Sequence, residues 1–287
     1  MKKVIVVTGT SSGLGLSLVI KLAREGHCVY ATMRNLAKQD ALASAAREAA
    51  VTIHIKQLDV QSTLSVEKCM SEIINEQGKI DCLINNAGMG FIKTTEQATE
   101  EEIQRIMNTN FMGVVRCVKS VLPYMRKARQ GHIINVSSVG GLVGQPLNEI
   151  YCASKFAIEG YTESMATYIQ PTFNVKFTLV EPGGIASEFA NNLLAEFEAT
   201  KPTEADEYTP ILQKYLHGAK ERLASGHVGS IYQKSSEVAD CIVDVVNSKK
   251  PPLRIRSSDW ANDFCHMKTL GDPDGTLLAK KIHDMFL

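Results

Sequence analysis

The chain alternates between two hydrophobic rhythms. Short runs rich in β-branched residues are apolar at nearly every position, and between them apolar residues recur every three or four positions. The first run, KVIVVT (3–8), predicts a strand buried on both faces, and the periodicity from Leu14 to about Glu25 predicts the helix that follows it. HCVYATM (27–33), VTIHIKQL (51–58), KIDCLINN (79–86), HIINVSS (132–138), NVKFTLVEP (174–182) and PLRIRS (252–257) predict six further strands. Helices are predicted over about 36–49, 63–77, 99–128, 149–169 and 236–247, with Pro123 bending the third of these near its end. Strands and helices alternating at this spacing predict an α/β fold, a doubly wound parallel sheet with helices on both faces and right-handed crossovers.

The alternation breaks between about 185 and 235. Two amphipathic stretches stand there, Phe189, Leu193, Leu194 and Phe197, then Ile211, Leu212, Tyr215, Leu216 and Leu223. They follow a strand end, where open α/β sheets bind ligands. They predict a helical lid over a pocket, the alternative being a fixed extra helical layer. Residues 258–287 lie beyond the last strand, with the single tryptophan, Trp260, and a helix-like TLLAKKIHDMF. This extension is expected to cover the pocket or a partner subunit. With no repeat, low-complexity region or linker, residues 1–287 read as a single domain.

At 287 residues and 44% hydrophobic, the chain has material for a large core. Its 31 basic residues balance 31 acidic ones, so no global field recruits nucleic acid or an anionic membrane. The opening MKKVIVVTGT is too short in its apolar run to read as a signal peptide, and no run approaches the ~20 residues that span a bilayer. The seven cysteines are scattered without a CxxC pair, as expected of reduced thiols in the cytoplasm. The seven histidines are equally dispersed, and no metal site is predicted.

Between the first strand and first helix stands TGTSSGLG, with Gly9, Gly13 and Gly15. Glycine lets the backbone turn tightly and approach a pyrophosphate, and the helix start that follows offers free N–H groups to it. Thr10, Ser11, Ser12 and Leu14 complete this predicted phosphate loop, with hydroxyls as added donors. An acid commonly ends the second strand and accepts from a ribose 2′-OH, but here Met33 stands there and Arg34 follows. A guanidinium suits a 2′-phosphate, so NADP(H) is the predicted cofactor, with NAD(H) use as the alternative. Asp59, with Val60 after it, is placed to accept from the adenine amino group, and Asn86-Ala87-Gly88 to pass beneath the adenosine ribose.

YCASK (151–155) puts a phenol and an ammonium four residues apart, on one face of the predicted helix. Bringing a phenol from about 10 to about 7 takes roughly 4 kcal/mol. A cation at ~4 Å in an effective dielectric of ~20 supplies about that. Tyr151 is therefore the candidate acid and base for moving a proton to a carbonyl oxygen, with Lys155 tuning it and holding the cofactor ribose. Ser138, at a strand end, is placed to hold the substrate oxygen by a hydrogen bond.

TGTSSGLG, NNAG (85–88), Asn110 in NTNFMG, Ser138 in VSSVGG, YCASK and PGGIAS (182–187) occur in the order found in the short-chain dehydrogenases/reductases. The chain resembles that family over about residues 3–188, most of all the branch with the 17β-hydroxysteroid and retinol dehydrogenases. The resemblance implies a Rossmann-type, seven-stranded, mostly parallel sheet in the order 3-2-1-4-5-6-7. It implies a catalytic tetrad of Asn110, Ser138, Tyr151 and Lys155, with Asn110 binding a water that links Lys155 to solvent. Ser138 is preferred to Ser137 because it lies 13 residues before Tyr151, the family's usual separation. Pro182, Gly183, Ile185 and Ser187 are expected along the cofactor; Ser187 stands where threonine is more usual and keeps the hydroxyl. A homodimer is expected, or a tetramer, built on the helices near 99–128 and 149–169.

The residues expected around the reacting centre are mostly apolar: Met89, Phe91, Leu142, Val143, Pro146, Ile185 and Phe189, with Leu193, Leu194 and Phe197 from the lid. With no basic cluster among them, a lipophilic ketone, aldehyde or alcohol is the expected substrate. The alternatives are an NAD-linked alcohol dehydrogenase and a nucleotide-sensing protein without turnover; the presence of both Tyr151 and Lys155 favours an enzyme.

Overall fold

In the computed structural model, which describes residues 2–187, 197, 206–225, 231–277, 280 and 284, β1 (Val4–Thr8) is buried at all five positions. Around it lies a sheet of seven parallel strands in the order β3-β2-β1-β4-β5-β6-β9. The others are β2 (Cys28–Met33), β3 (His54–Gln57), β4 (Cys82–Asn85), β5 (Gly131–Val136), β6 (Val175–Glu181) and β9 (Arg254–Arg256). This is the expected Rossmann-type order, with the predicted seventh strand as β9.

Alternate strand residues face opposite layers, so each strand feeds two cores. Val6, Leu83, Ile133 and Phe177 pack beneath α3 (Thr63–Gln77), α5 (Gly113–Ala128) and α6 (Glu149–Phe173). Ile5, Val7, Ile84 and Ile134 face α1 (Gly13–Arg24), α2 (Asp40–Glu48) and α8 (Ser235–Asn247). The remaining helices are α4 (Glu100–Met107), α7 (Thr209–Ser225) and α9 (Asp259–Thr269).

Three departures from the expected elements have local causes. The helix expected over 99–128 is two helices joined by a π-helical segment, Asn108–Met112. Thr109 Oγ1 donates to the Arg105 carbonyl at 2.9 Å, and Arg116 reaches the Asn108 carbonyl, so polar side chains replace part of the regular ladder. β3 begins later than expected because the Val51 N–H closes back on the Ala46 carbonyl at the end of α2. β7 (Gly184–Ala186) and β8 (Tyr232–Lys234) form a separate two-stranded parallel sheet, too short to show a period in the sequence. Of the expected lid, the second stretch is α7; Phe189, Leu193 and Leu194 lie outside the described residues, as does the side chain of Leu223. Among the described residues no helix is long and apolar enough to cross a membrane.

The sheet changes direction beside β1, which pairs with β2 on one edge and β4 on the other. Thr8 Oγ1 ties this junction together, accepting from the Asn86 and Ala87 N–H groups, each at 3.0 Å. Substituting Thr8→Val keeps the shape and leaves two interior N–H groups unpaired, at about 1–3 kcal/mol each. Urea unfolding of this variant is expected to show a loss of about 2 kcal/mol or more; a variant as stable as the parent would mean the junction is held by packing alone.

Candidate active site

The glycine loop closes on itself and on β4. Gly9 has φ +72°, and a Cβ there would lie 2.7 Å from the Ala87 Cα. A Cβ on Gly15 would lie 2.2 Å from the Gly9 carbonyl oxygen. Asn86 pins the loop, its Nδ2 donating to the Thr8 and Gly9 carbonyls at 2.9 Å each. Gly13, at φ +57°, faces Ser187, so the PGGIAS segment meets the phosphate loop in space. Ser12 is the N-cap of α1 but makes no side-chain cap bond, and the first turn carries no acid. That leaves the positive end of the helix open to an anion. A pyrophosphate therefore fits this cradle, on the crowding around Gly9 and Gly15.

Thr10 departs from its expected role. Its hydroxyl is buried and donates to the Thr32 carbonyl at 3.1 Å, fastening the loop to β2 rather than offering itself to a phosphate. Ser11 is half-buried and Leu14 is buried in the core beneath the loop. Met33 is buried at the end of β2, and Arg34 beyond it is exposed, its carbonyl accepting from Gln57. Asp59 Oδ1 accepts from the Gln61 N–H at 3.0 Å in a local turn; Val60 packs against Gly113 and gives its carbonyl to Arg116. Gly88 is exposed, and a Cβ there would lie 3.4 Å from Asn110 Oδ1 and 3.8 Å from Lys155 Nζ.

The four tetrad residues converge at this edge of the sheet. Asn110 stands in the π-helical segment, 1% exposed, and pairs with the Met89 backbone both ways at 2.9 Å. Its Nδ2 also donates to Ser154 Oγ at 3.1 Å, and Ser154 donates to the Tyr151 carbonyl at 2.7 Å. Ser154 was not singled out from the sequence although it lies inside YCASK; here it couples the π-helical segment to α6. Ser138 Oγ accepts from the Gly140 N–H at 3.0 Å and shares a hydrogen bond with the Tyr151 hydroxyl. Ser137, by contrast, points to the interior beside Gly141. Lys155 is 6% exposed, donates to the Val136 carbonyl at 2.9 Å, and lies 5.7 Å from the centroid of the Tyr151 ring.

Burial dominates the electrostatics. The Tyr151 phenol is pushed up to about 12 by desolvation, with the Ser138 hydrogen bond acting in the opposite direction. Lys155 is pushed down to about 8, again by desolvation, with the Glu159 carboxylate opposing. Among the chain's own groups, burial thus outweighs the Ser138 hydrogen bond. Lys155 Nζ lies over the Tyr151 ring, and burial disfavours the charge it carries. By the chain's own groups, Tyr151 is a proton-loaded acid near neutral pH.

Two small apolar clusters include residues of the loops after β4 and β5. Leu142 and Val143 pack with Val139, Trp260, Ala261 and Cys265, so α9 of the C-terminal extension backs the loop that carries Ser138. The Trp260 ring lies against Gly183, where a Cβ would come within 3.0 Å of it. Pro182 is buried and its carbonyl accepts from the Val139 N–H at 3.0 Å; Ile185 is half-buried in β7. In the second cluster Ile92, Leu147 and Phe197 pack with Leu212, Tyr215 and Leu216 of α7. Tyr215 accepts from Asn148 Nδ2 at 2.8 Å, which ties α7 to the start of α6. His217 pairs with Glu221 on the exposed face of α7.

Residues 3–197 match the family described as short chain dehydrogenase. Retinol dehydrogenase 8 of Bos taurus is 40% identical over 290 aligned positions, covering 98% of this chain and 89% of that protein. The 17-beta-hydroxysteroid dehydrogenase type 1 of Homo sapiens is 32% identical over 98% of this chain and 85% of its own length. Among solved structures, an actinorhodin polyketide ketoreductase with NADPH superposes with a TM-score of 0.73 at 26% identity, covering 86% of this chain and 90% of that one. The strand order and these matches together make this chain a member of the short-chain dehydrogenase/reductase family of oxidoreductases, in the branch that holds the retinol and 17β-hydroxysteroid dehydrogenases.

Proposed function

We propose that the protein is an NADP(H)-dependent oxidoreductase that interconverts a lipophilic ketone or aldehyde and its alcohol, with Tyr151 as proton donor and acceptor. The observation that carries this reading is the buried hydrogen bond between Tyr151 and Ser138, with Lys155 one turn further on, at the sheet edge beside the glycine loop. The bound dinucleotide would supply or accept the hydride. Ser138 would hold the substrate oxygen against the phenol, and Tyr151 would deliver its proton to that oxygen. The Lys155 ammonium would stabilise the phenolate left behind, and Asn110, fixed by Met89 and Ser154, would hold the water that leads protons back.

The glycine loop, Asn86 to Gly88, and the 182–187 segment would hold the dinucleotide. The buried Met33 followed by exposed Arg34, where a carboxylate would repel a 2′-phosphate, supports NADP(H). The apolar clusters of Leu142, Val143 and Trp260 and of Ile92, Leu147 and Phe197, close in sequence to Ser138 and Tyr151, support a lipophilic substrate. So do the names of the relatives, a retinol and a hydroxysteroid dehydrogenase. Exposed Tyr124 on α5, with Phe156 and Tyr168 on α6, supports a homodimer built on those helices. Seven free cysteines support a reducing compartment, which we take to be the cytoplasm.

Tyr151→Phe removes only the hydroxyl. Turnover of NADPH with lipophilic ketones and aldehydes is expected to fall by about 10²–10⁴, while NADPH binding, read by nucleotide fluorescence, stays within about twofold. Unchanged turnover would discard Tyr151 as the acid. Arg34→Ala is expected to weaken NADPH about tenfold or more and to leave NADH nearly unaffected, since one or two charge-assisted bonds at ~1.5–3 kcal/mol each are lost. An equal effect on both nucleotides would remove Arg34 as the discriminator. Because Lys155 loses its charge as pH rises through about 8, kcat/KM for carbonyl reduction is expected to be level below that point and to fall above it. A profile that stays flat to pH 10 would show that the reaction does not need the ammonium.

A further inference from the structure

Below the candidate site lies a buried group of charges that proton delivery does not itself use. Glu159 follows Lys155 by one turn on α6 and is 4% exposed; Glu181, at the end of β6, is 0% exposed. Arg254 of β9 sets Nε 3.0 Å from Glu159 Oε2 and 3.2 Å from Glu181 Oε1, and its other end pairs with Glu163 of α6. Arg256 holds Glu181 Oε2 at 2.9 Å. Three carboxyl groups thus share two guanidinium groups. Burial drives both Glu159 and Glu181 toward the protonated form, with Glu159 adding repulsion on Glu181. Hydrogen bonds from Ser137 and Glu181, with the Arg254 guanidinium, act the other way and favour the Glu159 carboxylate.

Glu159 is placed to act on both halves of the site. Its Oε1 faces Gly141, as does Ser137 Oγ, directly behind the loop that presents Ser138. Its carboxylate is also the charge that opposes the loss of the Lys155 proton. We propose that Glu159, clamped by Arg254, is a positioning residue whose carboxylate keeps the buried Lys155 ammonium charged. The groups facing it are Lys155 and Glu163 on α6, Ser137 after β5, Glu181 on β6, Arg254 and Arg256 on β9 and the Cys265 thiol on α9. The edge strand is thereby part of the proton-transfer apparatus: its arginine holds the carboxylate that holds the charge. This rests on Lys155 acting as a cation in the proposed reaction.

The direct test is an NMR titration of Lys155 in protein carrying ε-13C-lysine, with the resonance assigned by Lys155→Arg. In Glu159→Gln the Lys155 midpoint is expected to fall by about half a pH unit or more, because a nearby opposite charge is gone. In Glu181→Gln the remaining Glu159 keeps its ionised form, so the midpoint should hold or rise. A folded Glu159→Gln with the parent midpoint, or an equal fall in both variants, would overturn the proposal. If Glu159→Gln does not fold, Glu159→Gln/Arg254→Met removes both members of the ion pair while Arg256 still holds Glu181; loss of the Arg254 cation offsets part of the effect, so a smaller fall of the same sign is expected. The pH profile of kcat/KM adds a separate reading. Its basic limb should move with the NMR midpoint, leaving kcat/KM about threefold lower at pH values above the limb. A midpoint that falls while the limb stays in place would support the role of Glu159 and reject Lys155 as the group the reaction titrates.

Discussion

β1 is hydrogen-bonded to β2 along one edge and to β4 along the other, and this double parallel pairing is what the site is built on. Parallel strands all end on the same side, so the loops after β1, β4, β5 and β6 are delivered to one edge of the sheet. The junction leaves no space there: a side chain on Gly9 would strike Ala87, and one on Gly15 would strike the Gly9 carbonyl. Asn86 and Thr8 close the gap with hydrogen bonds that cross between β1 and β4. A backbone packed this tightly leaves main-chain N–H groups, rather than side chains, as the surface that would meet a pyrophosphate.

Beside that cradle the dominant force is dehydration. It pushes a phenol and an ammonium toward their neutral forms, which is opposite in sign for the two proton affinities: Tyr151 rises to about 12 and Lys155 falls to about 8. A stocked phenol is well suited to giving a proton to a developing alkoxide. A lysine so near its own deprotonation is not a fixed charge, and what surrounds it decides how often it is present. The nearby interior is accordingly dense with polar groups: the Val136 carbonyl accepts from Lys155, and Asn110 and Ser154 lock the π-helical segment to α6.

The C-terminal part of the chain bears on this site from beneath and from the side. β9 sends Arg254 and Arg256 under α6 and β6, where Glu159 and Glu181 meet them out of reach of water. α9 presses Trp260 on Gly183 and packs against Leu142 and Val143. Buried charge of this kind is a poor source of net stability, since dehydration offsets most of the attraction. Its presence in the interior, one turn from Lys155, is better accounted for by the electrostatics of the site than by the stability of the fold.

The layered α/β architecture and the cluster of candidate residues were legible in the sequence because they rest on local signals. Strand and helix periods differ, glycines mark a turn before a helix, and a spacing of four places Tyr151 and Lys155 on one helical face. The break at Asn108–Met112 was not legible, because it comes from Thr109 and Arg116 competing for backbone carbonyls. Nor was the fate of the Thr10 hydroxyl, which depends on β2 lying within reach of the loop. The sign of the Tyr151 shift turned on burial outweighing the Ser138 hydrogen bond, a balance that exists only after the chain has closed around both groups. The meeting of Glu159 with Glu181 and Arg254 is likewise tertiary: residues far apart along the chain become neighbours when β6 pairs with β9 and α6 lies across them. Local patterning sets which elements form; dehydration and contact between distant elements set the charge states that their side chains carry.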